Sequence, residues 1–424
     1  MRPVKPNTYI RRASSIVEVH AGDQLMLMHV ADKRCFCLEE GALIIWSALK
    51  KPIQIESVIE RMSEKFELTI EQCAGEVHTF LSELEVTGLI ITSLEDHIPM
   101  EPQEQIALQF TTQDGCELIS LPDTPYWSVC NGLLFCSELE LPGHLPSRPG
   151  EPDVVVNLGP EAQQAWHSLP SKHIVTPGAM MTSSGPVINF PGVAHILVRG
   201  GCEIIATPAK NCDFDLLKLY LVGSSYGMLM HQRNLLPLHG ATISHNNKAL
   251  TFVGPSSEGK STLAAHLCKL GSKLIADDVT VVTAKSDSTF QVRSGGNCLK
   301  LWRGNLERLG FERQHLKSVG GKLEKFYVPI GSIATDTAIP LNAIFLLEHQ
   351  NGPAKIERLE AFEALTVVVE HVFRPEFVTL LGLEESLFQS CVNLSHSVPI
   401  FRLSRCKSYA SLNEINVLLN DICD

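Results

Sequence analysis

Leu238 to Val282 reads LHGATISHNNKALTFVGPSSEGKSTLAAHLCKLGSKLIADDVTVV, and within it Gly254, Gly259, Lys260 and Ser261 complete the pattern G-x-x-x-x-G-K-[ST]. An apolar run, Ala249 to Val253, precedes the loop, and Leu263, Leu267 and Leu270 recur at helical spacing after it. Strand, glycine loop, helix is the setting in which this pattern cradles phosphates. A triphosphate needs many donors around a concave turn. Glycines let the backbone N–H groups close in while the helix N-terminus points at the anion. Gly254, Pro255, Ser256, Ser257, Glu258, Gly259, Lys260, Ser261 and Thr262 are therefore expected to hold a nucleotide. Lys260 would reach the β/γ-phosphates and the Ser261 hydroxyl would hold Mg²⁺. The competing reading is a degenerate loop that binds nothing. With Gly near 7% of residues, a chance match has a probability on the order of one in a hundred, and the flanking pattern lowers it.

The next apolar strand, Leu274 to Ala276, ends in two acidic residues, Asp277 and Asp278, and His239 closes another apolar stretch upstream. His-Gly before the loop, G-x-S-x-x-G-K-S within it and Ala-Asp-Asp after it resemble the HPr kinase/phosphorylase family over about 215–424. The resemblance implies a PEP carboxykinase-like fold and phosphoryl transfer with ATP and Mg²⁺, GTP and pyrophosphate remaining open as donors. It implies Asp278 as the base, Asp277 near Mg²⁺ or the loop, and His239 orienting Asp278 or a phosphate oxygen. Read alone, His239 is also compatible with a core histidine at a strand end. The family's later Glu-Ile-Arg-Gly signature is absent; Cys298-Leu299-Lys300-Leu301-Trp302-Arg303 stands instead and is similar to kinase-like relatives of peptide biosynthesis. That departure leaves a second metal ligand and the phosphorylase reaction unassigned, and it makes HPr a poor substrate candidate.

Residues 1–14 carry Arg2, Lys5, Arg11 and Arg12 with two prolines and read as a flexible arm. Short strands follow (Ile16 to Val19, Leu25 to Val30, Arg34 to Leu38), then helices over Gly41 to Leu49, Glu56 to Lys65 and Thr69 to Thr87. Thr69 with Gln72 predicts a capping box and Gly88 a stop. The result is a winged-helix-like domain over 15–92. No Lys or Arg occurs between Glu67 and Gly88, so the third helix lacks the cations that DNA phosphates require. Cys35-Phe36-Cys37-Leu38, Ala42 to Trp46 and Thr87-Gly88-Leu89-Ile90 instead resemble PqqD-like domains, which hold leader peptides of ribosomally made precursors. By that resemblance a leader would add as a strand beside Arg34, Cys35, Phe36 and Cys37 and contact Cys73, Val77 and Phe80 on the third helix. For Cys35, Phe36 and Trp46, core packing is the competing reading.

Residues 93–105 read as a linker, 106–213 as an α/β or mostly β domain, and 214–424 as the kinase-like domain, giving a multidomain α/β protein. Gly223 and Gly227 on the helix from Phe214 to His231 read as close-packing positions, and Lys322 or Lys325 is a candidate to reach a phosphate, with surface solvation as the alternative. The net charge is 35 minus 47, or −12, which argues against non-specific nucleic-acid or anionic-membrane binding. Thirteen cysteines without a CxxC pair read as reduced thiols packed as small hydrophobes, and no signal-like or ~20-residue apolar run is present. A cytoplasmic location follows as an expectation, with a homo-oligomer left open. Together the halves predict a kinase that phosphorylates a hydroxyl, that of a serine, in a precursor peptide recruited by its leader. The alternatives are a nucleotide-gated peptide-binding chaperone and a regulatory serine kinase acting on a folded protein.

Overall fold

The computed structural model describes residues 8–21, 24–38, 40–94, 121–168, 174–176, 178–321, 323–331 and 337–423. It is a multidomain α/β protein of two compact units, residues 1–108 and 109–424. Among the described residues no helix is long and apolar enough to cross a membrane, and no group of His, Cys, Asp or Glu is arranged to hold a metal by itself.

In the first unit Ile16–Ala21, Gln24–His29 and Cys35–Leu38 form an antiparallel meander. Helices Glu40–Ala48, Ile55–Phe66 and Ile70–Val86 pack with it around Trp46, Leu49, Ile55 and Leu81, each fully buried. The third helix starts as the sequence predicts: the Gln72 N–H donates to Thr69 Oγ1 at 3.3 Å, and the Thr69 N–H donates to Gln72 Oε1 at 3.0 Å.

The flexible-arm reading of residues 1–14 fails over Tyr9–Arg12. These residues form a strand between Ile53–Gln54 and Ile90–Ser93, antiparallel to both. Ile10 is buried in the core. Arg12 lies over the Trp46 ring at 4.7 Å, donates from Nε to the Trp46 carbonyl at 2.9 Å and pairs with Glu18. Tyr9-Ile10-Arg11-Arg12 is a strand because both its edges are paired, and charge count alone could not reveal that. Apart from Ser93 and Leu94, the predicted linker lies outside the described residues.

The second unit holds a nine-stranded mixed sheet and an eight-stranded one. The first includes Tyr126–Cys130, Leu133–Ser137, Val154–Leu158, Gly185–Phe190, Ala194–Arg199 and Glu203–Pro208, so the middle segment is mostly β. The boundary expected at 213/214 is not a boundary. One core joins Phe135, Val154, Ile196 and Ile204 to Leu217, Met228, Val279, Val281 and Phe377. The helix beginning at Phe214 covers this sheet on one side and meets the second sheet's strands on the other, so neither half is closed without it.

In the second sheet the long strand Leu236–His245 pairs with Lys248–Val253, which runs parallel to Ile339–His349. Its other side carries two shorter strands end to end, Lys273–Ala276 against Ser244 to Thr242 and Val279–Ala284 against His239 to Leu236. The Asp277-Asp278 pair therefore falls at the break between two strands. Hydroxyls of Thr242, Thr251 and Thr280, all fully buried, bond in a chain at 2.8 and 2.7 Å. That chain ties the strands bearing His239, the phosphate loop and Asp278 in fixed register. Cys202 departs from the reduced-thiol expectation, being disulfide-bonded, while ten described cysteines are not in disulfides.

Candidate active site

The loop has the predicted setting: strand Lys248–Val253, turn, helix Lys260–Lys269. The helix buries Leu263, Ala264, Ala265 and Leu267, which anchors its N-terminus at the end of the strand. Gly254 has φ +144°, and a Cβ there would lie 3.0 Å from the Leu347 carbonyl; Gly259 has φ +90° and faces the Arg405 guanidinium. Both glycines are needed for backbone conformation, and Gly254 for space as well. Arg405, buried below the loop, donates to the Glu258 carbonyl at 3.1 Å, and His349 Nε2 stands 2.9 Å from Glu258 Oε2.

Lys260 bends its ammonium back to the Gly254 and Pro255 carbonyls at 2.7 and 3.0 Å. Burial pulls its pKa below the ordinary lysine value, though the two aspartates oppose that. Ser261 Oγ donates to Asp277 Oδ1 at 2.7 Å, and the Lys300 backbone N–H donates to Asp277 Oδ2 at 2.7 Å. Burial, and then the neighbouring Asp278, raise the Asp277 pKa. A buried carboxylate beside a serine hydroxyl offers hard oxygen donors, which fits Mg²⁺.

Asp278 takes φ +74°, a conformation that Asp tolerates better than most residues. Its Oδ2 accepts from Lys300 Nζ at 2.8 Å. Burial works against its charged form, but Lys300, Lys325 and His239 outweigh that and hold the carboxyl well below the usual range. His239 Nδ1 lies 3.1 Å from the Asp278 carbonyl oxygen, which can only accept, so the proton sits on Nδ1 and Nε2 keeps its lone pair. Burial and then Lys260 lower the His239 pKa, leaving a neutral ring at pH 7. Its side chain is 35% exposed in a cleft, which rules out the core-histidine reading. Gly240 beside it admits the neighbouring strand, for a Cβ would stand 2.9 Å from the Phe252 carbonyl.

The cleft, about 720 Å³, brings Gly254, Pro255, Ser256, His239, Asp278, Lys300 and Lys325 to one open space. Leu219, Tyr220, Trp302, Leu323 and Phe373 also line it, as do Glu370, Arg374 and Glu376. The helix from Phe214 widens into a π-turn at Leu221–Ser225, and this turns Gly223 and Ser224 toward the cleft. A Cβ on Gly227 would meet Phe373 at 2.6 Å, in agreement with close packing, whereas one on Gly223 would meet nothing within 4 Å. The close-packing expectation for Gly223 is thus overturned. Lys325 lines the cleft and acts electrostatically on both aspartates; Lys322 lies outside the described residues.

Lys300 was legible only as part of a resemblance, although a lone lysine between Leu299 and Leu301, both buried, is the signal of a charged group held in a core strand. Arg405 carried no sequence signal, because it reaches the loop from 147 residues away.

In the first unit Cys73 and Val77 are 5% and 2% exposed and belong to the core, so the structure does not offer them as peptide contacts. Cys35 is likewise buried, and for Cys73 and Val77 the packing of the domain's core is the reason. Phe36, Cys37 and Phe80 are half-buried, and Arg34 is exposed, bridging Asp32 at 2.6 Å and the Thr87 carbonyl at 3.0 Å.

Residues 24–90 match the family model for coenzyme PQQ synthesis protein D (PqqD), so a PqqD domain stands at the N-terminus. Among solved structures the chain is similar to TbiB1 in complex with the TbiA(beta) leader peptide, with 20% identity over 21% of this chain and 99% of that one and a TM-score of 0.18. It is also similar to the HPr(Ser) kinase/phosphatase from Coxiella burnetii, with 11% identity over 44% of this chain and 96% of that one and a TM-score of 0.23. No curated protein matches the chain.

Proposed function

We propose that the protein is a kinase that transfers the γ-phosphoryl group of ATP to a hydroxyl, that of a serine, in a ribosomally made precursor peptide recruited through its leader. The observation that carries this reading is the shared cleft. The phosphate loop lines it through Gly254, Pro255 and Ser256, Asp277 is paired with Ser261 at the start of the loop's helix, and the next residue, Asp278, lines the same cleft beside a neutral imidazole. A nucleotide switch needs the first two features but has no use for Asp278 and His239.

The loop and Lys260 would hold the phosphates, and Ser261 with Asp277 would hold Mg²⁺, which when bound neutralises charge on the phosphate oxygens. The acceptor hydroxyl oxygen attacks the γ-phosphorus, the bond to the β–γ bridging oxygen breaks, the hydroxyl proton passes to Asp278, and ADP leaves. His239 fixes the Asp278 backbone through Nδ1 and leaves Nε2 to accept from the acceptor or a water. In the PqqD domain the leader would lie along Cys35–Leu38, at one end of the meander's strand order, with Arg34, Phe36, Cys37 and Phe80 at hand. Cys73 and Val77 would then support that face from within. Tethering raises the acceptor's local concentration to the order of millimolar, so the cleft need not bind the core peptide tightly.

The test is intact-mass analysis of a candidate precursor peptide after incubation with the full chain, ATP and Mg²⁺. One added phosphoryl group is expected, lost with Asp278→Asn, and a leaderless peptide should raise KM strongly with a smaller change in kcat. Leader-dependent binding with no mass gain would refute the kinase and leave the nucleotide-gated chaperone. Equal rates with and without the leader would favour a kinase acting on a folded protein.

A further inference from the structure

One residue grips both aspartates. The backbone N–H of Lys300 bonds Asp277 and its ammonium bonds Asp278, from a strand in which Leu299 and Leu301 are fully buried. Lys300 itself is 8% exposed and lines the cleft that Gly254, Pro255 and Ser256 also line. The ammonium therefore occupies one of the two oxygens of Asp278, within the same space as the phosphate loop. A fixed pair would leave the base capped by a cation.

The geometry points to Lys300 as a catalytic lysine whose ammonium rests on Asp278 and moves onto the transferring phosphoryl group when nucleotide binds. The assignment rests on the kinase reading above. Lys260 and Lys325 act on the same two aspartates, so an incoming polyanion would meet three lysines together. A γ-phosphate bears up to two negative charges where Asp278 bears one, and lysine is a point charge on a flexible stem able to follow the larger charge. Its departure frees Asp278 Oδ2 for the acceptor hydroxyl at the moment the donor is in place. Lys260, parked on two carbonyls of its own loop, has the same kind of resting partner.

The side chain can be changed while the backbone bond to Asp277 stays. Lys300→Met keeps the length and the packing and removes the charge. We would record the ³¹P spectrum of a non-hydrolysable ATP analogue with Mg²⁺ on the full chain, wild type and variant. A γ-resonance that shifts between the two proteins while the α-resonance does not, with kcat reduced ~10²- to 10³-fold, is the expected result. Lys300→Cys alkylated to the aminoethyl thioether should restore both. An unchanged γ-resonance would overturn the assignment and make Lys300 a fixed partner of Asp278. A lysine-dependent γ-shift with no phosphorylated acceptor would instead refute the kinase reading and leave the phosphate contact standing.

Discussion

Replacing Gly254 by alanine isolates what the loop's shape contributes. The residue sits at φ +144°, where side chains are rarely found, and the added Cβ would stand 3.0 Å from the Leu347 carbonyl and 3.5 Å from the Leu347 Cβ. Leu347 lies in the strand Ile339–His349, held by parallel neighbours on both sides, so it cannot retreat. Backbone strain costs about 1–3 kcal/mol and the overpacked contact a similar amount. The only part free to move is the loop, away from Leu347. If about 3 kcal/mol of that cost falls on the nucleotide-bound state, ATP affinity drops ~150-fold. Gly271→Ala is the control: φ is +108° but a Cβ meets nothing within 4 Å, so stability should fall while ATP affinity holds. Isothermal titration with ATP and Mg²⁺ reads both. Affinity within threefold of wild type for Gly254→Ala, or equal losses in the two variants, would refute the argument.

Asp278→Asn should lower transfer by ~10²- to 10⁴-fold in single-turnover assays while nucleotide affinity is retained. Removing residues 1–14 takes away a strand paired on both sides, so far-UV circular dichroism of residues 15–94 should show loss of fold rather than a trimmed arm. Gly227→Ala should lower the thermal midpoint, since its Cβ would stand 2.6 Å from the Phe373 ring and overpacking costs about 1–3 kcal/mol. His231, 2% exposed, has a pKa pushed down to about 4 by burial, which its bond to the Phe373 carbonyl only partly offsets. The unfolded chain binds that proton first, so its contribution is complete above about pH 6.5 and is lost as pH falls toward 4, at up to about 1.4 kcal/mol per unit. Denaturant titrations of His231→Gln between pH 6.5 and 5 should show a correspondingly flatter slope.

The sequence by itself determined the local parts. A glycine loop between an apolar strand and a helix, a capping box at Thr69, and two aspartates after Ala276 depend on neighbours within a few residues, where backbone geometry leaves few choices. Tertiary structure decided what depends on partners far along the chain. Tyr9–Arg12 is a strand because residues 53–54 and 90–93 pair with it, and Cys73 and Val77 are core because the meander covers them. The middle segment is one body with the part that bears the phosphate loop because a single apolar core needs both to exclude water. Lys300 meets Asp278 across 22 residues and Arg405 meets the loop across 147, and no periodicity encodes such meetings. Residue chemistry supplied the candidates for the site; the strand break opposite Gly240 gave Asp278 its place, because hydrogen-bond register is a property of the whole sheet.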